Sequence, residues 1–246
     1  LSKRDGDRLG FPVFPLKWVN AEGEVSRGYR EDGYFPDAFV NMLAMLGWNP
    51  GDDREIFSMD ELIQAFSMDH VQKAGAKFNP DKAKWYNKEY LRSKSDSELA
   101  DAFIPVLASK GIAVPDRDWL LKVVALIKER ATFVADFWTI ASYLFKAPEE
   151  YAEKDVAKFW KEENYSLAFK VADFILAFDG EFSKEGLEGP LEDYIRGNEW
   201  PMGKVMNCLR LMLAGSASGL GIADVVTLIG KEEVARRVAA AKAALC

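Results

Sequence analysis

The chain has 246 residues, of which 49% are hydrophobic, and its formal net charge is −7. No run approaches the ~20 apolar residues of a membrane span, and two cysteines, Cys208 and Cys246, exclude a disulfide framework and favour a reducing, cytoplasmic setting. Residues 1–92 (13 basic, 15 acidic) and 93–246 (19 basic, 24 acidic) are both acidic overall, so nucleic-acid binding would need a local basic patch.

The chain opens on a small charged segment, Leu-Ser-Lys-Arg-Asp-Gly-Asp, which lacks the apolar core of a signal peptide. Further on, residues 16–19 and 24–27 flank a turn-like cluster at 20–23, and this pattern predicts a short β-hairpin. From Pro36 the apolar residues recur at three- and four-residue steps, which predicts a helix.

Three later helix starts carry capping signals. Ser58 and Ser95 each stand three residues before a glutamate, the pattern of a capping box. Asn79 precedes Pro80, which fits a cap followed by proline at the first helical position. Beyond these starts, glycine and proline punctuate a succession of helical segments.

We place domain boundaries near residues 92 and 160, which predicts three domains at residues 1–92, 93–160 and 161–246. A polar junction at 92–96 supports the first boundary, and the second lies within the charged segment 149–163. The expected fold class is mainly α: a small mixed region with a short β-hairpin, followed by two all-helical domains.

The strongest signal for RNA binding is the segment 73–94, which holds seven basic and only two acidic residues. Lys84, Lys88 and Arg92 are four residues apart, so they lie along one face of the predicted helix and could meet a run of phosphates. Trp85 and neighbouring aromatic residues could stack on unpaired bases. The alternative is that Trp85 packs in a core while the lysines form a solvated face.

Several motifs resemble one family of enzymes. Leu1, Ser2, Lys3 and Arg4 match four of the five residues of Lys-Leu-Ser-Lys-Arg, the form that glutamyl-tRNA synthetases give to the class I signature Lys-Met-Ser-Lys-Ser. Residues 34–48 are similar to the family pattern Gly-Tyr-Leu-Pro-Glu-Ala-Leu-x-Asn-Tyr-Leu-Ala-Leu-Leu-Gly-Trp, and further matches follow in order at 55–62, 78–87 and 228–232. The chain thus resembles the C-terminal part of bacterial-type glutamyl-tRNA synthetases, beginning inside the signature and lacking the catalytic domain. A longer stretch at 8–30 departs from the family pattern.

The resemblance implies the anticodon- and stem-binding part of a glutamate–tRNA ligase, whose parent attaches glutamate to tRNA(Glu) with ATP and Mg²⁺. It implies a monomer without membrane association, with glutamate and ATP bound through the catalytic domain. Lys3 matches the second lysine of the signature, so we expect it to contact the ATP phosphates. The catalytic His-Ile-Gly-His element is absent, since His70 is the single histidine. We expect no catalytic residue, metal ligand or bound cofactor in these residues alone, and no formation of glutamyl-adenylate.

Two further arginines are candidate tRNA contacts by the same resemblance. Arg130 matches the arginine of a Glu-Arg-x-x-Thr-Leu-like turn, and in discriminating members of the family an arginine in this region reads the third anticodon base. The planar guanidinium of arginine can donate several hydrogen bonds to the edge of a base. The alternative is that Arg130 forms an i, i+4 ion pair on the protein surface. Arg210 lies in a segment similar to Pro-Leu-Arg-x-Ala-Leu-Thr-Gly, and within an apolar helix it needs a carboxylate or phosphate partner.

A different class of function remains open, a non-enzymatic helical module that binds protein. Net acidity favours it, and its contact face would be formed by Val234, Val238, Ala241 and Leu245. A shortened tRNA-modifying relative of the synthetases is disfavoured by the long helical part. The glycine-rich residues 215–221 lack the Gly-Lys-Ser/Thr ending of a phosphate loop and predict an interhelical turn.

Overall fold

The computed structural model describes residues 3–73, 75–113 and 116–246, apart from the side chains of Lys3 and Leu9. These residues form two compact units. The first comprises the described part of 1–115 together with Leu120–Trp138, and the second comprises Asp116–Trp119 together with Thr139–Cys246. Within the described ranges, no helix combines the length and apolar character needed to cross a bilayer. The predicted three-domain division stays a prediction.

Helices account for most of the described chain. In chain order the elements are α1 (Lys3–Leu9), β1 (Trp18–Val19), β2 (Val25–Ser26), α2 (Pro36–Ala44), α3 (Met59–Ala65), a 3-10 helix (Met68–His70), α4 (Pro80–Ser93), α5 (Asp96–Ser109), α6 (Arg117–Ile127), a 3-10 helix (Lys128–Arg130), α7 (Asp136–Phe145), α8 (Glu153–Phe159), α9 (Glu162–Ala177), α10 (Lys184–Gly197), α11 (Met202–Ala214), α12 (Ile222–Ile229) and α13 (Lys231–Leu245). The predicted fold class, mainly α with a short hairpin near the start, is confirmed.

The predicted hairpin forms between β1 and β2, which pair antiparallel with Val19 opposite Val25. Its turn is closed by Asn20, whose side-chain oxygen accepts a hydrogen bond from the Glu24 amide at 2.7 Å. Gly23 adopts a φ of +82°, a conformation that glycine reaches without steric cost. The hairpin therefore forms through interactions between residues that are close together in the sequence.

The predicted helix caps are confirmed. Ser58 and Ser95 both form complete capping boxes, in which serine and glutamate satisfy each other's backbone amides. The Asn79 side chain accepts hydrogen bonds from the first amides of α4, and Pro80 occupies the first helical position. These caps fix where α3, α4 and α5 begin.

A buried amide ties α2 to α4 in the first unit. Asn41, fully buried, accepts hydrogen bonds from the Phe57 amide at 2.8 Å and from the Tyr90 hydroxyl at 2.7 Å. Its own NH₂ group donates to the Glu55 carbonyl at 3.0 Å. Burial raises the pKa of Tyr90 to about 12, so its hydroxyl remains a donor at neutral pH. The Asn41 hydrogen bonds therefore fix the position of the buried side of α4, and the opposite side of this helix is exposed.

The second unit is built on α9, α11 and α13, which pack against one another. Arg237 of α13 is 3% exposed, and its guanidinium donates to the carbonyls of Tyr143 and Leu213, both at 2.6 Å. Val234 and Ala241 on the same helix are completely buried. Val238 and Leu245 are half-buried. Two of the four residues considered for a protein-binding face on α13 therefore belong to this unit's own core, and the other two are only partly exposed.

Candidate nucleic-acid interface

Helix α4 places two of the predicted basic residues, Lys84 and Lys88, on one face. Lys84 is exposed and Lys88 is half-buried, one helical turn apart. Across the part of the chain that the structure describes, neither lysine forms an ion pair. Their charges repel each other at this spacing, so an anionic partner on this face would relieve the repulsion.

Two neighbouring lysines are neutralised within the protein. The Lys82 ammonium pairs with Glu55. Lys94 pairs with Asp37 at 3.1 Å. The net charge of +5 counted over residues 73–94 therefore overstates what the surface offers. The unpaired charge on α4 is concentrated at Lys84 and Lys88.

Trp85 is half-buried and packs against the aromatic core of the first unit. Its ring meets Tyr86 edge-on, with centroids 4.9 Å apart. The Lys82 ammonium lies 4.0 Å from the centre of the Trp85 ring, a cation–π contact. Both interpretations of Trp85 thus apply in part, since the ring serves the core and retains some exposure. Its predicted contact with a base stays a prediction.

The third residue of the row, Arg92, is engaged by two carboxylates. Its guanidinium lies 3.2 Å from Glu89 and 2.9 Å from Glu129. Glu129 belongs to the 3-10 turn that also contains Arg130, whose side chain is exposed. A further ion pair joins this turn to the start of α5, from Lys128 to Asp96 at 2.7 Å. The structure thus brings Arg92 close to the turn that carries the predicted base-reading residue.

Two residues that the sequence analysis missed hold the end of this turn. Asn87, fully buried, accepts from the Phe35 amide at 2.8 Å and donates to the Thr132 carbonyl at 2.6 Å. Asp136, the first residue of α7, accepts from the Thr132 and Phe133 amides, both at 2.9 Å, and so ties the preceding residues to the start of this helix. The available signal for Asn87 was its position among the apolar residues of α4's buried face.

Arg210 lies half-buried on α11, in the second unit. Its guanidinium donates to the Leu220 carbonyl at 3.4 Å and to the Asn207 side chain at 3.3 Å. No carboxylate among the described residues forms an ion pair with it. Residues 215–221 form the predicted interhelical turn, beginning with Gly215 at a φ of +76°. Among the described residues, Arg210 therefore lies beside this turn without a neutralising carboxylate.

The predicted signature motif falls largely outside the described residues. Leu1 and Ser2 lie outside them, as does the Lys3 side chain. Arg4 is exposed on α1. The structure therefore carries no argument about ATP contact at this motif.

Family models match two parts of the chain. Residues 98–242, more than half of the chain, match the model described as an anticodon binding domain. The chain belongs to the anticodon binding domain family. Residues 21–85 match a model described as the catalytic domain of class I tRNA synthetases (E and Q). This second match covers β2, α2, α3 and the beginning of α4.

Glutamate–tRNA ligases are similar to this family member over its whole length. The ligase of Flavobacterium psychrophilum is 49% identical over 247 residues, covering 100% of this chain and 48% of the relative. That of Bacteroides fragilis is 46% identical, covering 97% of this chain and 47% of the relative. A crystal structure of a glutamate tRNA ligase from Elizabethkingia meningosepticum in complex with its amino acid has a TM-score of 0.93 at 43% identity, covering 100% of this chain and 49% of that chain.

These comparisons confirm the resemblance to glutamyl-tRNA synthetases that the motifs indicated. The chain spans about half the length of the curated relatives it matches. The positions of the individual RNA-contacting residues stay predictions.

Proposed function

We propose that this chain is the tRNA-recognition part of a glutamate–tRNA ligase, an enzyme that attaches glutamate to tRNA(Glu) with ATP. The observation that carries the proposal is the Lys84–Lys88 pair, two ammonium groups on one helix face that lack carboxylate partners among the described residues. Membership of the anticodon binding domain family supports it, as does similarity to glutamate–tRNA ligases along the whole chain.

The proposal divides recognition between phosphate and base contacts. Lys84 and Lys88 bind backbone phosphates, because ammonium groups suit point-charge contacts. Arg130 meets an anticodon base edge with its planar fork, and Arg210 supplies a further cation in the second unit. Trp85 adds a stacking contact through the part of its ring that remains exposed.

Salt-dependent binding to a tRNA(Glu) transcript tests the phosphate contacts. Each lost contact should reduce the slope of log K against log salt by roughly 0.9, so Lys84→Gln/Lys88→Gln should reduce it by about 1 to 2. Lys17→Gln/Lys110→Gln removes the same charge from exposed positions away from α4 and serves as the matched control. Equal slopes for wild type and the α4 double variant would sink the proposal.

We further infer that ATP and Mg²⁺ serve the whole ligase and that Lys3 contacts the ATP phosphates, supported by the signature motif alone. The test uses this chain joined to the N-terminal half of the Flavobacterium psychrophilum relative. There, Lys3→Ala should lower glutamate-dependent ATP–pyrophosphate exchange on the order of 100-fold. Undiminished exchange would contradict the role of Lys3. Residues 1–246 alone should support no exchange.

We also propose that the protein is monomeric and cytoplasmic. The two cysteines support the reducing compartment, because both are free: Cys208 is buried and Cys246 is exposed. The monomeric state is implied by the resemblance to the family alone. Burial raises the pKa of the Cys208 thiol to about 11, so it stays protonated and unreactive. Sedimentation at several concentrations under reducing conditions checks the monomer, and a concentration-dependent mass would contradict it.

A further inference from the structure

Arg92 belongs to the predicted basic row, yet its charge is already committed inside the protein. Its Nε atom lies 2.9 Å from Glu129 Oε2, and Nη1 donates to Glu89 at 3.2 Å. Nη2 also reaches the Glu129 backbone carbonyl at 3.4 Å. One guanidinium therefore holds both the side chain and the backbone of the residue that directly precedes Arg130.

The rest of the turn is fixed from other directions. Lys128 pairs with Asp96 at 2.7 Å on one side of Arg130. On the other side, the Thr132 carbonyl accepts from buried Asn87, and its amide donates to Asp136. The backbone around Arg130 is thus anchored at both ends, while the Arg130 side chain is exposed.

We propose that Arg92 is a positioning residue, which acts through Glu129 to fix the direction in which Arg130 meets its base. The inference rests on the proposed function. A base-reading side chain must be held to within about 0.5 Å and about 10–20° of its productive geometry, whereas phosphate attraction depends mainly on charge. Loosening the Arg92–Glu129 pair should therefore reduce discrimination between anticodons and leave the phosphate contacts intact.

Two variants that break the same pair from opposite ends separate the two roles. Arg92→Gln removes a positive charge and Glu129→Gln removes a negative one. Binding is measured with a tRNA(Glu) transcript and with an identical transcript changed only at the third anticodon base. If Arg92 positions the turn, both variants should lose discrimination in the same direction. A well-oriented arginine fork discriminates about 5- to 150-fold, so a several-fold loss is measurable.

The salt dependence of binding gives a second measurement, which changes only when a phosphate contact is lost. Both variants should keep the wild-type slope, because neither removes a phosphate contact in this proposal. Lys84→Gln is the contrast: it should lower the slope by about 1 and weaken both transcripts equally. Arg130→Gln should abolish discrimination, and adding Arg92→Gln to it should cause no further loss.

Arg92→Lys separates the effect of charge from the effect of geometry. It keeps the positive charge but lacks the planar guanidinium that reaches both the side chain and the backbone carbonyl of Glu129. It should behave like Arg92→Gln. Thermal unfolding confirms that each variant is folded, and Glu129→Gln, at a side chain 60% exposed, remains informative if Arg92→Gln is not.

Three results would overturn the inference. One is a lower salt slope and uniform weakening in Arg92→Gln with rescue by Arg92→Lys, which would make Arg92 a phosphate contact. Another is unchanged discrimination in both Arg92→Gln and Glu129→Gln. The third is wild-type binding that does not distinguish the transcripts. Failure of the proposed function looks different, because the wild-type chain would then bind neither transcript in a salt-dependent way.

Discussion

The two compact units differ in whether they bury charged side chains. In the first, the fully buried Asn41 and Asn87 organise the interior through neutral amide hydrogen bonds. The second also buries an amide, Asn164, but it adds charged groups to its interior, Arg237 at 3% exposure and Asp224 at 9%. The surfaces differ as well, because the most exposed large apolar side chains of the described residues lie between Leu16 and Val71, in the first unit.

This contrast shows that the same overall fold class can be stabilised in two ways. A neutral amide network depends on hydrogen-bond geometry, whereas a buried guanidinium depends on complete pairing because its desolvation is costly. Removing a buried charged group from the second unit should therefore cost more stability than removing a buried amide from the first. The stability of the second unit should also depend on pH. Hydrogen exchange resolves the two units separately, so it measures each effect where it arises.

The largest effect should come from removing the buried charge. Arg237→Met removes the donor to the carbonyls of Tyr143 and Leu213 and one of the two arginines that pair with Glu233. We therefore expect the free energy of unfolding of the second unit to fall by about 3 to 5 kcal/mol. Hydrogen exchange of α9 and α11 amides measures it. Arg236→Met is the matched control, because Arg236 also pairs with Glu233 but is 64% exposed. Equal losses in the two variants would refute the contrast between the units.

A smaller loss is expected from Asn41→Ala in the first unit. The change leaves the buried Phe57 amide without its acceptor and the Glu55 carbonyl without its donor, which should cost about 1 to 3 kcal/mol. Exchange of α2 and α4 amides provides the measurement. Asn49→Ala, at an exposed asparagine, is the comparison, and a similar loss there would show that Asn41 has no special role.

Stability of the second unit should also fall at acid pH. Hydrogen bonds from Arg236 and Arg237 lower the pKa of Glu233 below 4.5. A carboxyl with a lowered folded-state pKa contributes stability that is complete above its unfolded value and lost as pH falls through its folded value. Urea unfolding from pH 6 to about pH 3 should show a shallower decline in Glu233→Gln than in wild type. Parallel declines would argue against a contribution from Glu233.

The smallest effect should follow from Ser58→Ala. This removes the side-chain acceptor for the Glu61 amide at the start of α3, at a cost of about 1 kcal/mol. Exchange of α3 amides should rise while those of α9 stay unchanged. Ser166→Ala, at an exposed serine inside α9 and away from its ends, is the control. Equal losses from the two substitutions would show that the Ser58 cap has no special role.

Elements that depend on neighbours in the sequence were predictable. Ser58, Asn79 and Ser95 cap helices through atoms two or three residues away, and the hairpin turn closes through Asn20 and Glu24. These interactions are visible as short motifs, so their structures followed directly from them.

Interactions across long sequence separations were not predictable from spacing. Asn87 binds Thr132 45 residues away, and Arg237 binds Tyr143 94 residues away. Helical spacing placed Arg92 correctly in a row with Lys84 and Lys88, but it could not reveal Glu129 as a partner 37 residues further on. The basic segment was thus visible in the sequence, whereas the distribution of free and paired charge within it required the fold.

The composition of the first unit has a consequence for synthesis on the ribosome. Because Leu120–Trp138 belongs to this unit, a nascent chain cannot complete it when α4 and α5 emerge. Until Thr132 leaves the exit tunnel, the buried Asn87 amide lacks its acceptor. The first unit should therefore acquire its final protection only after the chain has grown well past α5, and translational pausing before that point would prolong an incomplete state.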